Sequence, residues 1–138
     1  MTKEEERLLF VNICSRTPYG IIVRNIKLNF DGYVMSPSNY QPLCVLTYDL
    51  HGVEDQGFSP IEDIRPYLRP LSSMTDEEHG RYMEFIEWSY NDYTGTTTIC
   101  INKELLYEYL DFIYKHHLDD NNFIEKGLAL KAPEGMYK

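Results

Sequence analysis

Residues 61–74 read Ile61-Glu62-Asp63-Ile64-Arg65-Pro66-Tyr67-Leu68-Arg69-Pro70-Leu71-Ser72-Ser73-Met74, and they separate a strand-patterned half of the chain from a helix-patterned half. Pro66 and Pro70 lack a backbone N–H and push the residue before them toward extended geometry, so a helix cannot run through this stretch. Its apolar residues nevertheless need to be buried. The stretch is therefore predicted to be an irregular but packed joint that crosses the face of the core.

Helices are predicted on both sides of this joint. Thr2 with Glu5 and Thr75 with Glu78 have the spacing of capping boxes, and apolar residues at helical spacing follow each pair. A third helix is predicted after Asn102, a residue type that favours the N-cap position. The predicted helices cover about residues 2–15, 75–90 and 103–117.

Short strands are predicted between Tyr19 and the joint. Apolar and polar residues alternate there, as in half-buried strands, and Asp31-Gly32 is typical of a tight hairpin turn. Two further strands are predicted, at Leu43–Leu50 and from Gly57, with a turn at His51-Gly52 between them. Four or five short strands in one region favour a small antiparallel sheet or an SH3-like barrel.

These patterns predict one α+β domain over residues 1–138. Its length of 138 residues and its mass of 16.3 kDa are those of a single domain. The predicted parts are an N-terminal helix (1–18), the sheet or SH3-like barrel (about 19–64), the joint (65–74) and a helical part (75–138) in which residues 94–101 enter a short strand.

The charge of the chain is acidic and uneven. Residues 1–70 contain 7 Lys/Arg and 9 Asp/Glu, whereas residues 71–138 contain 6 and 13, and the total is −9. Because affinity for phosphates comes from Lys and Arg, direct binding of nucleic acid is not expected. The acidic helical half instead raises the hypothesis of a nucleic-acid mimic, in which Glu77, Glu84 and Glu87 would occupy the basic groove of a partner.

The expected location is the cytoplasm. Cys14, Cys44 and Cys100 are odd in number and lie far apart, which fits a reducing compartment better than a disulfide framework. The acidic start of the chain does not resemble a secretory signal, and no apolar run approaches the roughly 18 residues that span a bilayer. No membrane association is expected.

Three stretches resemble a known family. They are Cys14-Ser15-Arg16-Thr17-Pro18-Tyr19-Gly20, the segment from Ile64 to Thr75, and Gly127-Leu128-Ala129-Leu130-Lys131-Ala132-Pro133-Glu134-Gly135-Met136-Tyr137. In order and spacing they are similar to a family of small proteins without an established activity, found in gut anaerobic bacteria and in their phages and mobile elements. The paired His116-His117 also resembles that family, whereas the loop 119–122 departs from it. The resemblance implies an intracellular accessory protein and no named site.

Arg65, Tyr67 and Arg69 are the candidate ligand-binding or partner-binding residues. They alternate along the joint, so an extended backbone would place them on one side, where guanidinium groups can grip a carboxylate or a phosphate. The favoured alternative is that they pair with acidic residues of the same chain, such as Glu62 or Asp63.

The candidates for a metal site are weak. His116 and His117, with Asp119 and Asp120, have suitable ligand atoms. Adjacent histidines on a helix point about 100° apart, however, and a histidine near a helix C-terminus is already favoured by the helix dipole. No metal and no cofactor are therefore expected.

Signatures of catalysis are absent from the sequence. The three cysteines lie in apolar or β-branched surroundings that favour core packing over a nucleophilic thiolate, and His51 is the least implausible base for one. Glu84 and Glu87 are interpreted as part of a solvated helix face. The phosphate-binding, dinucleotide-binding, zinc-protease and nucleophile-elbow motifs do not occur.

The sequence therefore favours a non-catalytic module that binds another protein. An alternative is an enzyme or a binder of a small anionic ligand that uses Arg65 and Arg69. A further alternative is a homo-oligomer held together by some of the 12 tyrosines.

Overall fold

The structure is a computed structural model that describes residues 1–38, 43–49 and 55–137. The chain adopts an α+β fold, as predicted. Both capping boxes are formed: the side chains of Thr2 and Thr75 accept from the amides of Glu5 and Glu78, and each glutamate accepts from the threonine amide. The helices are α1 (Lys3–Arg16), α2 (Asp76–Glu84) and α3 (Leu106–Lys115).

Seven of the described strands form the main sheet, in the order β4-β3-β2-β1-β5-β8, with β9 also paired to β5. The first five are β1 (Ile22–Asn25), β2 (Phe30–Ser38), β3 (Cys44–Asp49), β4 (Asp55–Pro60) and β5 (Ile64–Pro70), and they pair antiparallel. The short strands β8 (Leu118–Asp119) and β9 (Leu130–Lys131) run parallel to β5. The sheet is mixed, and no barrel closes among the described strands.

The predicted joint is a strand of the sheet. Residues of β5 alternate between buried Ile64, Pro66 and Leu68 and half-buried neighbours, and β5 pairs with β1 and with both C-terminal strands. The prediction of an irregular crossing was wrong. Proline excludes a helix, but its fixed φ and the extended geometry that it favours in the preceding residue are compatible with a strand. Its many partners make β5 the organising element of the fold.

The first hairpin turn lies before the predicted position. Residues 26–29 form the turn, and the Asn25 side chain accepts from the amides of Lys27 and Leu28. Asn29 takes the positive φ of 56° that this turn requires and that asparagine tolerates. Asp31-Gly32, the predicted turn, lies inside β2. The predicted turn at His51-Gly52 lies outside the described residues.

The helix predicted to reach Tyr90 ends at Glu84, and the chain then forms a hairpin. Strand β6 (Ile86–Asn91) pairs antiparallel with β7 (Thr96–Ile101) as a separate two-stranded sheet. The strand predicted near residues 94–101 is confirmed as β7. Asn102 caps a 3-10 turn at Lys103–Leu105, and α3 begins only after that turn.

The described residues form two apolar core clusters. The first packs α1 against the sheet and includes Leu9, Ile13 and Ile64. The second is centred on Phe85 and Ile113 and packs α3 against β8. Arg16 lies at the end of α1 with its side chain wholly buried, where its guanidinium donates to the carbonyls of Ile113 and Leu118. In the described part of the chain, no helix has the length and apolar character needed to cross a bilayer.

Candidate functional site

The three residues singled out in the sequence share one face of β5. Arg65, Tyr67 and Arg69 alternate with the buried positions of the strand and are half-buried. The outer two are four residues apart, about 13 Å along an extended strand. Each of the three contacts a different group, so the strand does not bring them together on one point.

Arg69 is the centre of an ion-pair cluster. Its guanidinium binds both carboxylate oxygens of Glu78, at 2.7 and 2.9 Å. Glu78 also accepts from the amide of Thr75, and the His116 Nδ1 lies 3.1 Å from it. The Arg69 hydrogen bond, reinforced by that amide, lowers the pKa of Glu78 to about 2. The cluster therefore ties the start of α2 and the end of α3 to β5.

Arg65 and Tyr67 are also held by the same chain. Arg65 donates to the backbone carbonyls of Glu62, Ile64 and Gly127. The Tyr67 hydroxyl donates to Asp31, and burial raises the pKa of Tyr67. Arg65 thus anchors the C-terminal segment and Tyr67 links β5 to β2. Both side chains contact the same chain, as the favoured alternative to a ligand site expected, although Arg65 donates to backbone carbonyls and not to the carboxylates of Glu62 or Asp63.

An open groove of about 1030 Å³ lies beside the Arg69 cluster. It runs between α2, α3 and the C-terminal segment. Its charged lining mixes both signs and consists of Arg69, Glu77, Glu78, Arg81, Glu108, Asp111, Lys115, Lys131 and Glu134. Such a mixture does not select an anion, and Arg69 already has a carboxylate partner.

The two histidines have separate environments. His116 faces Glu78, and its pKa is lowered chiefly by burial. His117 is buried, holds the carbonyl of Tyr19 through Nε2 and stacks on Tyr137 with ring centroids 3.8 Å apart. Burial lowers the pKa of His117 to about 4. Among the described residues, no three His, Cys, Asp or Glu side chains are grouped so that they could hold a metal.

One of the three cysteines does not have the core position that was predicted for it. Cys14 and Cys44 are half-buried, and burial raises the pKa of Cys14, which opposes thiolate formation. Cys100 is exposed on β7, so its expected core position was wrong. His51 lies outside the described residues.

An exposed apolar surface covers one face of the β6–β7 hairpin. Trp88 opposes Ile99, and Tyr90 opposes Thr97. Directly opposed residues lie on the same side of a hairpin, so these side chains form one continuous face. Trp88, Tyr90 and Ile99 are 62%, 64% and 55% exposed, respectively. We call Ile86, Trp88, Tyr90, Thr97, Ile99 and Ile101 the hairpin face.

The hairpin face is continuous with the core. Phe85, immediately before β6, is fully buried, and Ile101 packs against the same cluster. The amide of Asn102 donates to the carbonyl of Phe85 and closes the base of the hairpin. At the other end, the Asn91 side chain accepts from the amides of the turn. The surface is thus held at both ends but is left uncovered by the described residues.

The sequence did not lead to a prediction of this surface, because the residues of β6 were interpreted as the end of a helix. Ile86, Trp88 and Tyr90 alternate with polar residues, which is the period of a strand. The capping box before them and the helical spacing of Tyr82, Phe85 and Ile86 favoured a longer helix. A strand pattern that ends at Asn91 and is followed by a threonine-rich run was the signal for a hairpin.

Comparison of the chain with protein-family models, with curated proteins and with solved structures gives no match.

Proposed function

We propose that this protein is a non-catalytic interaction module that binds another protein through the hairpin face. One observation supports this most: Trp88 and Ile99 form an opposed cross-strand pair that is more than half exposed, although it continues the buried core. A contiguous exposed apolar surface on a folded domain is typical of a binding site, and tryptophan and tyrosine are enriched in such sites. The proposal includes the cytoplasmic location and the phage or mobile-element setting expected from the sequence.

The anionic-ligand alternative has less support from the geometry. It required Arg65 and Arg69 to face a cleft without acidic partners of their own. Arg69 is instead bound by both oxygens of Glu78, and Arg65 is bound to three backbone carbonyls. A ligand would have to displace these hydrogen bonds before it gained any of its own.

The proposal is tested by photo-crosslinking in cells that produce the protein. Benzoylphenylalanine at Tyr90 is expected to give a discrete adduct with a second protein. The same group at Glu125, an exposed position on the C-terminal segment, is expected to give none. Equal adducts from both positions, or none from either, would contradict the proposal.

Matched variants separate contact from misfolding. Trp88→Ala with Ile99→Ala removes the centre of the hairpin face and should abolish the adduct. Ser89→Ala with Thr98→Ala changes the cross-strand pair on the other side and should leave the adduct intact. All four side chains are exposed, so the free energy of unfolding should change little in either double variant. A nucleic-acid mimic, which binds through charge, would lose nothing in the first double variant.

A further inference from the structure

The surroundings of the hairpin face restrict the chemistry of its partner. Residues 75–101 contain six Asp/Glu and one Arg. Arg69 neutralises Glu78 and Arg81 pairs with Glu84. The remaining acids of this region make no ion pair with the described part of the chain, and they are Asp76, Glu77, Glu87 and Asp92. Two of these acids belong to the hairpin itself: Glu87 lies on the side of β6 opposite Trp88, and Asp92 lies in the turn, so the hairpin carries uncompensated negative charge.

This charge disfavours three of the possible occupants. Nucleic acids and anionic lipid surfaces are attracted by Lys and Arg, which the hairpin lacks between residues 86 and 101. A second copy of the chain carries the same net charge of −9 and would bring the same acids together. A basic protein surface is the occupant whose charge complements this region.

The geometry of β6 adds a second restriction. In the described part of the chain β6 pairs with β7 alone, so its outer edge has free backbone N–H and C=O groups. An extended segment can add to such an edge as a further strand. Its side chains would then alternate between the side of Trp88 and the side of Glu87, because β6 itself alternates between these two sides.

Building on the proposed function, we infer that the hairpin binds an extended segment of a basic protein in which apolar residues alternate with lysine or arginine. The backbone extends the β6 edge, and the apolar side chains pack beside Trp88, which Ile99 supports from β7. The basic side chains lie on the opposite side of the strand, which carries Glu87. The sequence pattern of the partner thus follows from the two sides of one strand.

The fluorescence of Trp88 provides the test, since Trp88 is the single tryptophan of the chain. The probes are a blocked peptide of alternating valine and lysine and its counterpart with glutamate for lysine. The lysine peptide is expected to shift the Trp88 emission to shorter wavelength, saturably, and more weakly as salt is raised. Ile99→Asp, which retains the tryptophan, should abolish the shift.

A charge exchange tests the orientation of the segment. Glu87→Lys should change the preference for the lysine peptide over the glutamate peptide by about five-fold or more, as expected for exposed charge pairs. Glu125→Lys makes the same charge change at an exposed position on the C-terminal segment and should leave the preference unchanged. Far-ultraviolet circular dichroism of each variant checks that the fold is kept.

Equal binding of both peptides would overturn the inference while leaving the hairpin face as a binding surface. Absence of any Trp88 response to the lysine peptide up to about 1 mM would also overturn it. So would saturable quenching of Trp88 by oligothymidylate at low salt, because the partner would then be a nucleic acid. Failure of the proposed function itself is recognised separately, by the loss of position-dependent crosslinks at Tyr90.

Discussion

Glu78 shows how one residue ties the two halves of the fold together. Its carboxylate accepts from Arg69 on β5 and from Thr75 at the start of α2, and it faces His116 after α3. Arg69 holds the pKa of Glu78 at about 2, below its ordinary value of 4.5. A depressed carboxyl pKa stabilises the folded state above the ordinary value, and this stabilisation is lost as pH falls toward the folded-state value.

We therefore expect the free energy of unfolding to fall between about pH 5 and pH 2, and Glu78→Gln to flatten that part of the curve. The substitution should also lower the free energy of unfolding by about 1–3 kcal/mol at pH 7, because glutamine keeps the capping geometry but loses the ion pair. Urea unfolding across this pH range provides the measurement. Glu77→Gln is the control, since Glu77 is the exposed neighbour and makes no ion pair among the described residues. Identical pH profiles for the two variants would show that the Arg69 pair does not stabilise the fold.

The hairpin is the element that we expect to open most easily. Ile86 and Ile101 at its base are half-buried, whereas the other residues of both strands are exposed. A two-stranded sheet without further packing is only marginally stable in water. Amides within β6 and β7 should therefore exchange through a local opening. The free energy of this opening should be several kcal/mol lower than that of β1 and β5. Equal protection of all four strands would show that the hairpin face is covered in the free protein.

Gly95 allows that opening to be changed without touching the hairpin face. It has a φ of +67° in the turn between β6 and β7, a conformation that strains other residues. Gly95→Val should strain the turn by about 1 kcal/mol and therefore raise the hydrogen-exchange rates within the hairpin by about five-fold. The exchange rates of β5 should not change. An equal effect on β5 would show that the hairpin and the main sheet unfold together.

The elements differ in how far the sequence predicts them. Capping boxes are short-range patterns with specific hydrogen bonds, so both helix starts were predicted correctly. The end of α2 depends on whether the residues after Phe85 pack as a helix or as a hairpin, and their spacing is compatible with both. The role of β5 depends on partners such as Leu118 and Leu130, which lie some 50 or more residues away in sequence and cannot be deduced from local pattern.

At the scale of the whole molecule, charge and apolar surface have opposite effects on self-association. The net charge of −9 opposes the approach of two copies, whereas the exposed Trp88 and Ile99 favour it. At low salt the repulsion extends over about 10 Å or more, and near 1 M salt it is screened to about 3 Å. The balance should therefore shift with ionic strength. Arg65, Tyr67 and Arg69 have no part in this balance because their side chains contact the same chain.

We expect the protein to sediment at 16.3 kDa, as a monomer, at low salt and to associate weakly when salt is raised. Trp88→Ala with Ile99→Ala should remain monomeric at both salt concentrations, and Ser89→Ala with Thr98→Ala should behave like the natural chain. If the natural chain formed a stable dimer at low salt and the first double variant were a monomer, the hairpin face would be an interface between copies. The basic partner would then be replaced by a second copy of the chain, because the apolar contact would have proved stronger than the charge that opposes it.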